Sequence, residues 1–164
     1  MALATAHPPP LAAPILAGNI LVGVDGSAGS QRALAYAADV AHSEHGRLTL
    51  IAVVPPPLWT RMAFPPASYD HRAIVADWAK MLHAAADCLP GDVPVTTRLV
   101  HGRPADAIVC RAVEGCHDLV VVGCEGRGLL HGAIGGVSRK VARRCPVPVL
   151  VVRETTVVGS LAVR

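Results

Sequence analysis

The sequence predicts an α/β domain, a doubly wound parallel sheet of five strands with helices on both faces. Two observations carry this prediction. Short runs of Val, Ile and Leu alternate with longer segments of helical apolar spacing, giving the order β-α-β-α-β-α-β-α-β. The runs at 119–122 and 147–152 are mostly β-branched and contain no charge, as strands covered on both faces are. Parallel strands joined through helices imply right-handed crossovers.

Residues 1–18 are rich in Ala and Pro, lack periodicity and read as a flexible leader. Residues 19–25, N-I-L-V-G-V-D, give the first strand, followed by a tight loop at Gly26, Ser27, Ala28 and Gly29. Ser30 is placed to cap a helix running to about His45, with Leu34, Ala37, Ala38 and Ala41 inward and Gly46 as its stop. The second strand, 47–54, ends at three prolines. Leu58, Trp59, Met62 and Phe64 then lie in an irregular connection that reaches Tyr69. Ile74, Val75, Trp78, Met81, Leu82 and Ala85 mark a helix from Asp70 to about Leu89, ended by Pro90-Gly91. Residues 94–100 form the third strand. Pro104 opens a helix with Ala105, Ile108, Val109, Ala112 and Val113 facing inward. The strand at 119–122, a helix from Val137 and the strand at 147–152 complete one domain over 19–153, and 154–164 form a tail.

Composition narrows the function classes. At 164 residues the chain is long enough for one core, built from Val, Ala, Leu and Ile because aromatics make up only 3%. A net charge of +3 is too mild to imply nucleic acid, so no nucleic-acid partner is expected. The basic residues Arg139, Lys140, Arg143 and Arg144 spread over more than one helix face and read as a solvated surface. No apolar run reaches the roughly 18 residues that span a bilayer, and no membrane association is expected. Cys88, Cys110, Cys116, Cys124 and Cys145 are an odd set without a C-x-x-C pair, which fits a reducing, cytoplasmic setting.

The stretch 118–153 carries the functional signal. The apolar run ends at Gly123, and Gly126, Gly128, Gly132, Gly135 and Gly136 follow before helical spacing resumes at Val137 and Val141. A glycine-rich loop between a strand and a helix brings backbone N–H groups and a helix N-terminus onto an anion, usually a phosphate. In doubly wound sheets ligands sit at the carboxyl ends of strands, and Asp25, Val53, Gly102 and Gly123 fall at such ends.

The order V-D-G-S (24–27), G-R-P (102–104), G-x-x-G (123–126), G-G-V-S (135–138) and P-V-P-V-L-V-V (146–152) resembles the universal stress protein family. The resemblance runs from Asn19 to Arg153 and implies the strand order 3-2-1-4-5. It also implies a site for ATP, with Mg²⁺, or for another adenine nucleotide. Asp25 would meet ribose or base, and the backbone of Val53 would hold adenine. Gly123, Gly126, Arg127, Gly135, Gly136, Val137 and Ser138 would surround the phosphates. Aligned on the helix, the loop is one residue short, and Gly136 stands where the family's ATP-binding members carry Ser or Thr. The family further implies a homodimer paired through 147–152 and regulation of a protein partner by nucleotide state.

Local chemistry gives alternatives. Asp25 also suits a local turn with Gly26 and Ser27, and Glu125 between the first two glycines opposes a phosphate if it points inward. The shortened loop, Glu125 and Gly136 in place of the hydroxyl favour the second reading, a dimeric interaction module without nucleotide. A third, an adenine-nucleotide enzyme of a related fold, lacks a nameable general base. There is no G-x-x-x-x-G-K-[ST] loop, and neither Lys80 nor Lys140 lies in a glycine loop. At most slow ATP hydrolysis is expected. His42 and His45 share a helix face by spacing, but no third metal ligand can be named, and Cys116-His117 reads as a turn.

Overall fold

The computed structural model describes residues 18–56, 70–124 and 136–153. Five strands form one sheet: β1 (Asn19–Gly23), β2 (Arg47–Val54), β3 (Val95–His101), β4 (Leu119–Gly123) and β5 (Val149–Val152). They lie in the order β3-β2-β1-β4-β5, and every described pairing is parallel. The helices are α1 (Ala28–Ser43), α2 (His71–Asp87), α3 (Pro104–Glu114) and α4 (Gly136–Arg144). The predicted doubly wound sheet is therefore the observed one.

Two apolar layers explain why these segments fold together. On one face Ala33, Leu34, Ala37, Ala38 and Ala41 of α1 and Leu82 of α2 pack on Ile20, Val22, Leu48, Leu50 and Val121. On the other, Ile108 and Ala112 of α3 and Val141 of α4 cover Leu21, Ile51, Val53, Val120 and Val122. Strict period-two alternation sends neighbouring strand residues to opposite layers. Small Ala side chains let α1 lie close to the central strands. Val113, expected inward, is 52% exposed at the end of α3.

Helix ends differ from the sequence reading in an instructive way. The cap of α1 is Ser27, not Ser30: its Oγ accepts from the Ser30 N–H at 3.2 Å, and the helix starts at Ala28. The helix ends at Ser43 rather than His45. Gly46 N–H donates to Ala41 C=O at 2.8 Å and His45 N–H to His42 C=O at 3.4 Å, a Schellman closure. The left-handed residue is His45, at φ 52°, so the glycine comes one place later than the stop requires. His45 thus leaves the helical face it was expected to share with His42. His42 Nδ1 instead meets Asp92 Oδ2 at 2.6 Å. A second Schellman closure ends α3, with Cys116 at φ 47° and His117 N–H donating to Ala112 C=O at 3.0 Å.

The amino ends of the strands are held by a polar clasp. Asn19 is buried, and its Nδ2 donates to Gly115 C=O at 2.9 Å and Cys116 C=O at 3.1 Å. Asn19 N–H donates to Asp118 Oδ2 at 2.9 Å, and Asp118 N–H returns a bond to Asn19 C=O. His117, also buried, sets Nδ1 3.1 Å from Arg111 C=O. This clasp ties the start of β1 to the turn between α3 and β4.

Candidate functional site

The carboxyl ends of β1, β2 and β4 bring together most of the described residues that the sequence singles out. After Gly23 the chain makes one further ladder bond, from Val24 N–H to Ile51 C=O at 2.9 Å, and then turns away at Asp25. Asp25 Oδ1 accepts from Ser27 N–H at 2.9 Å and from Ser27 Oγ at 2.6 Å. Gly26, at φ 79°, allows that turn. The local-turn reading of Asp25 is thus realised through Oδ1, and the turn fixes the carboxylate at the rim. Ser27, oriented by Asp25, in turn caps α1.

β2 runs past the end of β1. The last β1–β2 pair is Gly23 with Ile51, whereas β2 continues beside β3 to the pair Val54–His101. Backbone groups of a parallel strand alternate between its two neighbours. Ile51 C=O accepts from β1's side, and Val54 C=O accepts from Gly102 on β3's side. Val53 therefore turns its N–H and C=O toward β1, beyond the last paired residue. Its side chain stays in the core beneath α3, at 5% exposure.

Gly123 ends β4 directly against the first turn of α1. A Cβ there would lie 2.4 Å from the Gly29 carbonyl carbon and 2.8 Å from Ser30 N. Its place after an apolar strand points to ligand approach, yet helix–strand contact alone demands a glycine here. Cys124 follows, buried, with its N–H on Val152 C=O at 2.9 Å. It is a packed thiol, and all five cysteines are free.

Gly136, Val137 and Ser138 form the first turn of α4, whose opening N–H groups have no partner within the helix itself. Ser138 is buried at 2% exposure and Val137 is 39% exposed. No described atom lies within 4 Å of a Cβ built on Gly136. Gly126, Arg127 and Gly135 lie outside the described residues, as does Glu125. Farther along α4, Arg139, Lys140, Arg143 and Arg144 are all exposed while Ser138 and Val141 face inward. The four basic residues share the outward side rather than dispersing, and Arg144 is paired with Asp106 of α3.

Two features escaped the sequence reading. The Ser27 cap was signalled by S-x-x-S (27–30) and by Asp25 two places earlier. The approach of His71 and His101, with ring centroids 5.4 Å apart, had no sequence signal because 29 positions separate them (101 minus 71, less one). Among the described residues no group of three or more metal-ligating side chains forms, and no helix is long and apolar enough to cross a membrane.

A five-stranded parallel sheet in this order, with a turn, a glycine and helix starts gathered at its carboxyl rim, defines a doubly wound α/β domain. The model of the universal stress protein family matches residues 17–153. The chain belongs to that family. It is 34% identical over 137 residues to a universal stress protein of Thermus aquaticus, covering 82% of this chain and 98% of the relative. It is 33% identical over 141 residues to universal stress protein Rv1636 of Mycobacterium tuberculosis, covering 84% and 97%. A solved family structure from Burkholderia pseudomallei matches with TM-score 0.64 and 26% identity over 84% of this chain and 96% of that one. A universal stress protein solved in complex with cAMP matches with TM-score 0.54 and 28% identity, over 82% and 95%.

Proposed function

We propose that this universal stress protein binds ATP or a related adenine nucleotide at the carboxyl rim, and that nucleotide state modulates its interaction with a protein partner. The observation that carries the reading is the overrun of β2 past β1. Val53 there presents one N–H and one C=O side by side, the complement of adenine's ring-nitrogen acceptor and amino donor. Asp25, anchored through Ser27, stands at the end of the adjacent strand, where a ribose hydroxyl has an acceptor. The first turn of α4 supplies N–H groups of Gly136, Val137 and Ser138 to phosphate oxygens, with the positive end of the helix dipole behind them. Gly126, Arg127 and Gly135 would close the phosphate loop, and Mg²⁺ would accompany ATP. The relative that holds cAMP, itself an adenine nucleotide, supports this ligand class.

The role is regulatory binding, with at most slow hydrolysis. A homodimer paired through β5 is part of the proposal, since Val149, Leu150, Val151 and Val152 are all half-buried within one chain. An apolar edge strand of this kind is normally covered.

One observation favours the second reading, an interaction module without nucleotide. Gly136 lacks the hydroxyl that the family's ATP-binding members place there. A hydrogen bond to a charged group contributes about 1.5–3 kcal/mol, so its loss weakens binding by roughly 10- to 150-fold. Calorimetric titration of nucleotide-stripped protein with Mg-ATP, beside Gly126→Asp, separates the two. Saturable heat in the parent chain that disappears in the variant supports the nucleotide site. A folded parent giving no heat at millimolar ATP leaves the interaction module.

A further inference from the structure

Beside the candidate nucleotide site, two histidines meet at the outer edge of the same rim. His101 is the last residue of β3, paired with Val54 of β2. His71 is the first residue of α2, immediately after its cap Asp70. Both are exposed, and their ring centroids lie 5.4 Å apart with the planes tilted by 42°. A parallel stack would bring the planes together, and the tilt excludes that arrangement.

The separation has a chemical meaning. With metal–nitrogen bonds of about 2.0–2.1 Å and a ring nitrogen roughly 1.1 Å from its centroid, an ion with tetrahedral angles holds two imidazole centroids about 5.2 Å apart. The observed spacing is close to that value. We propose that His71 and His101 form a two-imidazole site for a divalent transition cation, of the zinc, cobalt or nickel class, with water completing the coordination. The adjacent Asp70 adds negative charge at this helix start. Its Oδ1 is committed to Arg72 N–H at 2.9 Å and Ala73 N–H at 3.2 Å, which keeps the first turn of α2, and with it His71, in place. A bound ion would tie the start of α2 to the end of β3, two elements separated along the sheet from Asp25 and Gly123. The proposed ligands, His71 and His101, are not among the candidate nucleotide residues, so the test of this site does not require nucleotide.

The preferred probe is Ni²⁺, because imidazole suits nickel whereas thiolates compete for zinc. Titration calorimetry of the full chain with NiCl₂ at pH 7.5 should show one saturable equivalent. His71→Ala and His101→Ala each reduce two-point attachment to one, so each should weaken binding about tenfold or more. The double variant should lose little beyond either single change. His42→Ala, which alters the imidazole beside Asp92, should leave the affinity unchanged. Circular dichroism of each variant confirms that these exposed changes leave the fold intact. Absence of saturable binding below about 1 mM Ni²⁺, or binding that survives His101→Ala, would overturn the site.

Discussion

Gly123 at the end of β4 touches Gly29 at the start of α1 so closely that a Cβ on Gly123 would lie 2.4 Å from the Gly29 carbonyl carbon. Two glycines thus let a helix start rest on a strand end, and packing alone accounts for glycine at position 123. This contact fixes α1, its Ser27 cap and the Asp25 turn relative to β4.

Gly123→Ala should therefore destabilise the fold whether or not nucleotide is present. The obstructing atoms are backbone, which cannot rotate away, and overpacking of this kind costs about 1–3 kcal/mol. A shift of the urea midpoint to lower concentration, unchanged in slope, is the expected result. A variant as stable as the parent would mean that α1 can move off β4 without loss.

Asn19→Leu offers the complementary case at the opposite end of the sheet. The Asn19 amide satisfies Gly115 and Cys116 carbonyls at a position only 7% exposed. Leucine leaves both acceptors without it, at about 1–3 kcal/mol for a buried unsatisfied group. Stability should fall while nucleotide affinity, measured well below the unfolding midpoint, stays as in the parent. A loss of affinity without a loss of stability would place the clasp in the binding machinery instead.

His117 gives the stability a pH dependence. Burial holds its pKa below the usual 6.5, helped by the charges of Arg111 and Arg47 and opposed by backbone bonds at Ala112 and Arg111. The unfolded chain then binds the proton more readily than the folded one. Its contribution is fully present above about pH 6.5 and is lost as pH falls through the lower, folded value. Urea unfolding of the parent between pH 7.5 and 5 should show stability falling with pH, and His117→Phe should flatten that slope. An equal slope in both proteins would assign the effect to other groups.

Much of this architecture is legible in the sequence because period and punctuation agree. Val and Ile runs fix the strands, and the Ala face of α1 and the Pro104 start of α3 fix two of the crossovers. What the sequence hides is local chemistry. Ser27 and Ser30 are both plausible caps, and only the Asp25 turn decides between them. His45 takes a left-handed conformation next to a glycine that any pattern would choose for it. Gly123 reads as a ligand glycine because its packing partner, Gly29, lies 94 positions away (123 minus 29). The overrun of β2 past β1, which singles out Val53, is a property of register and leaves no trace in residue type.

The central claim concerns the first turn of α4, and Gly136→Ser tests it most directly. No described atom stands within 4 Å of the added Cβ, so the hydroxyl can be installed without displacing a described neighbour. Mg-ATP titrated into both proteins should bind each at one site, tighter in the variant by roughly 10- to 150-fold, the worth of one charge-assisted hydrogen bond. Unchanged affinity, or no saturable heat from either folded protein at millimolar nucleotide, would contradict a phosphate site at this helix start.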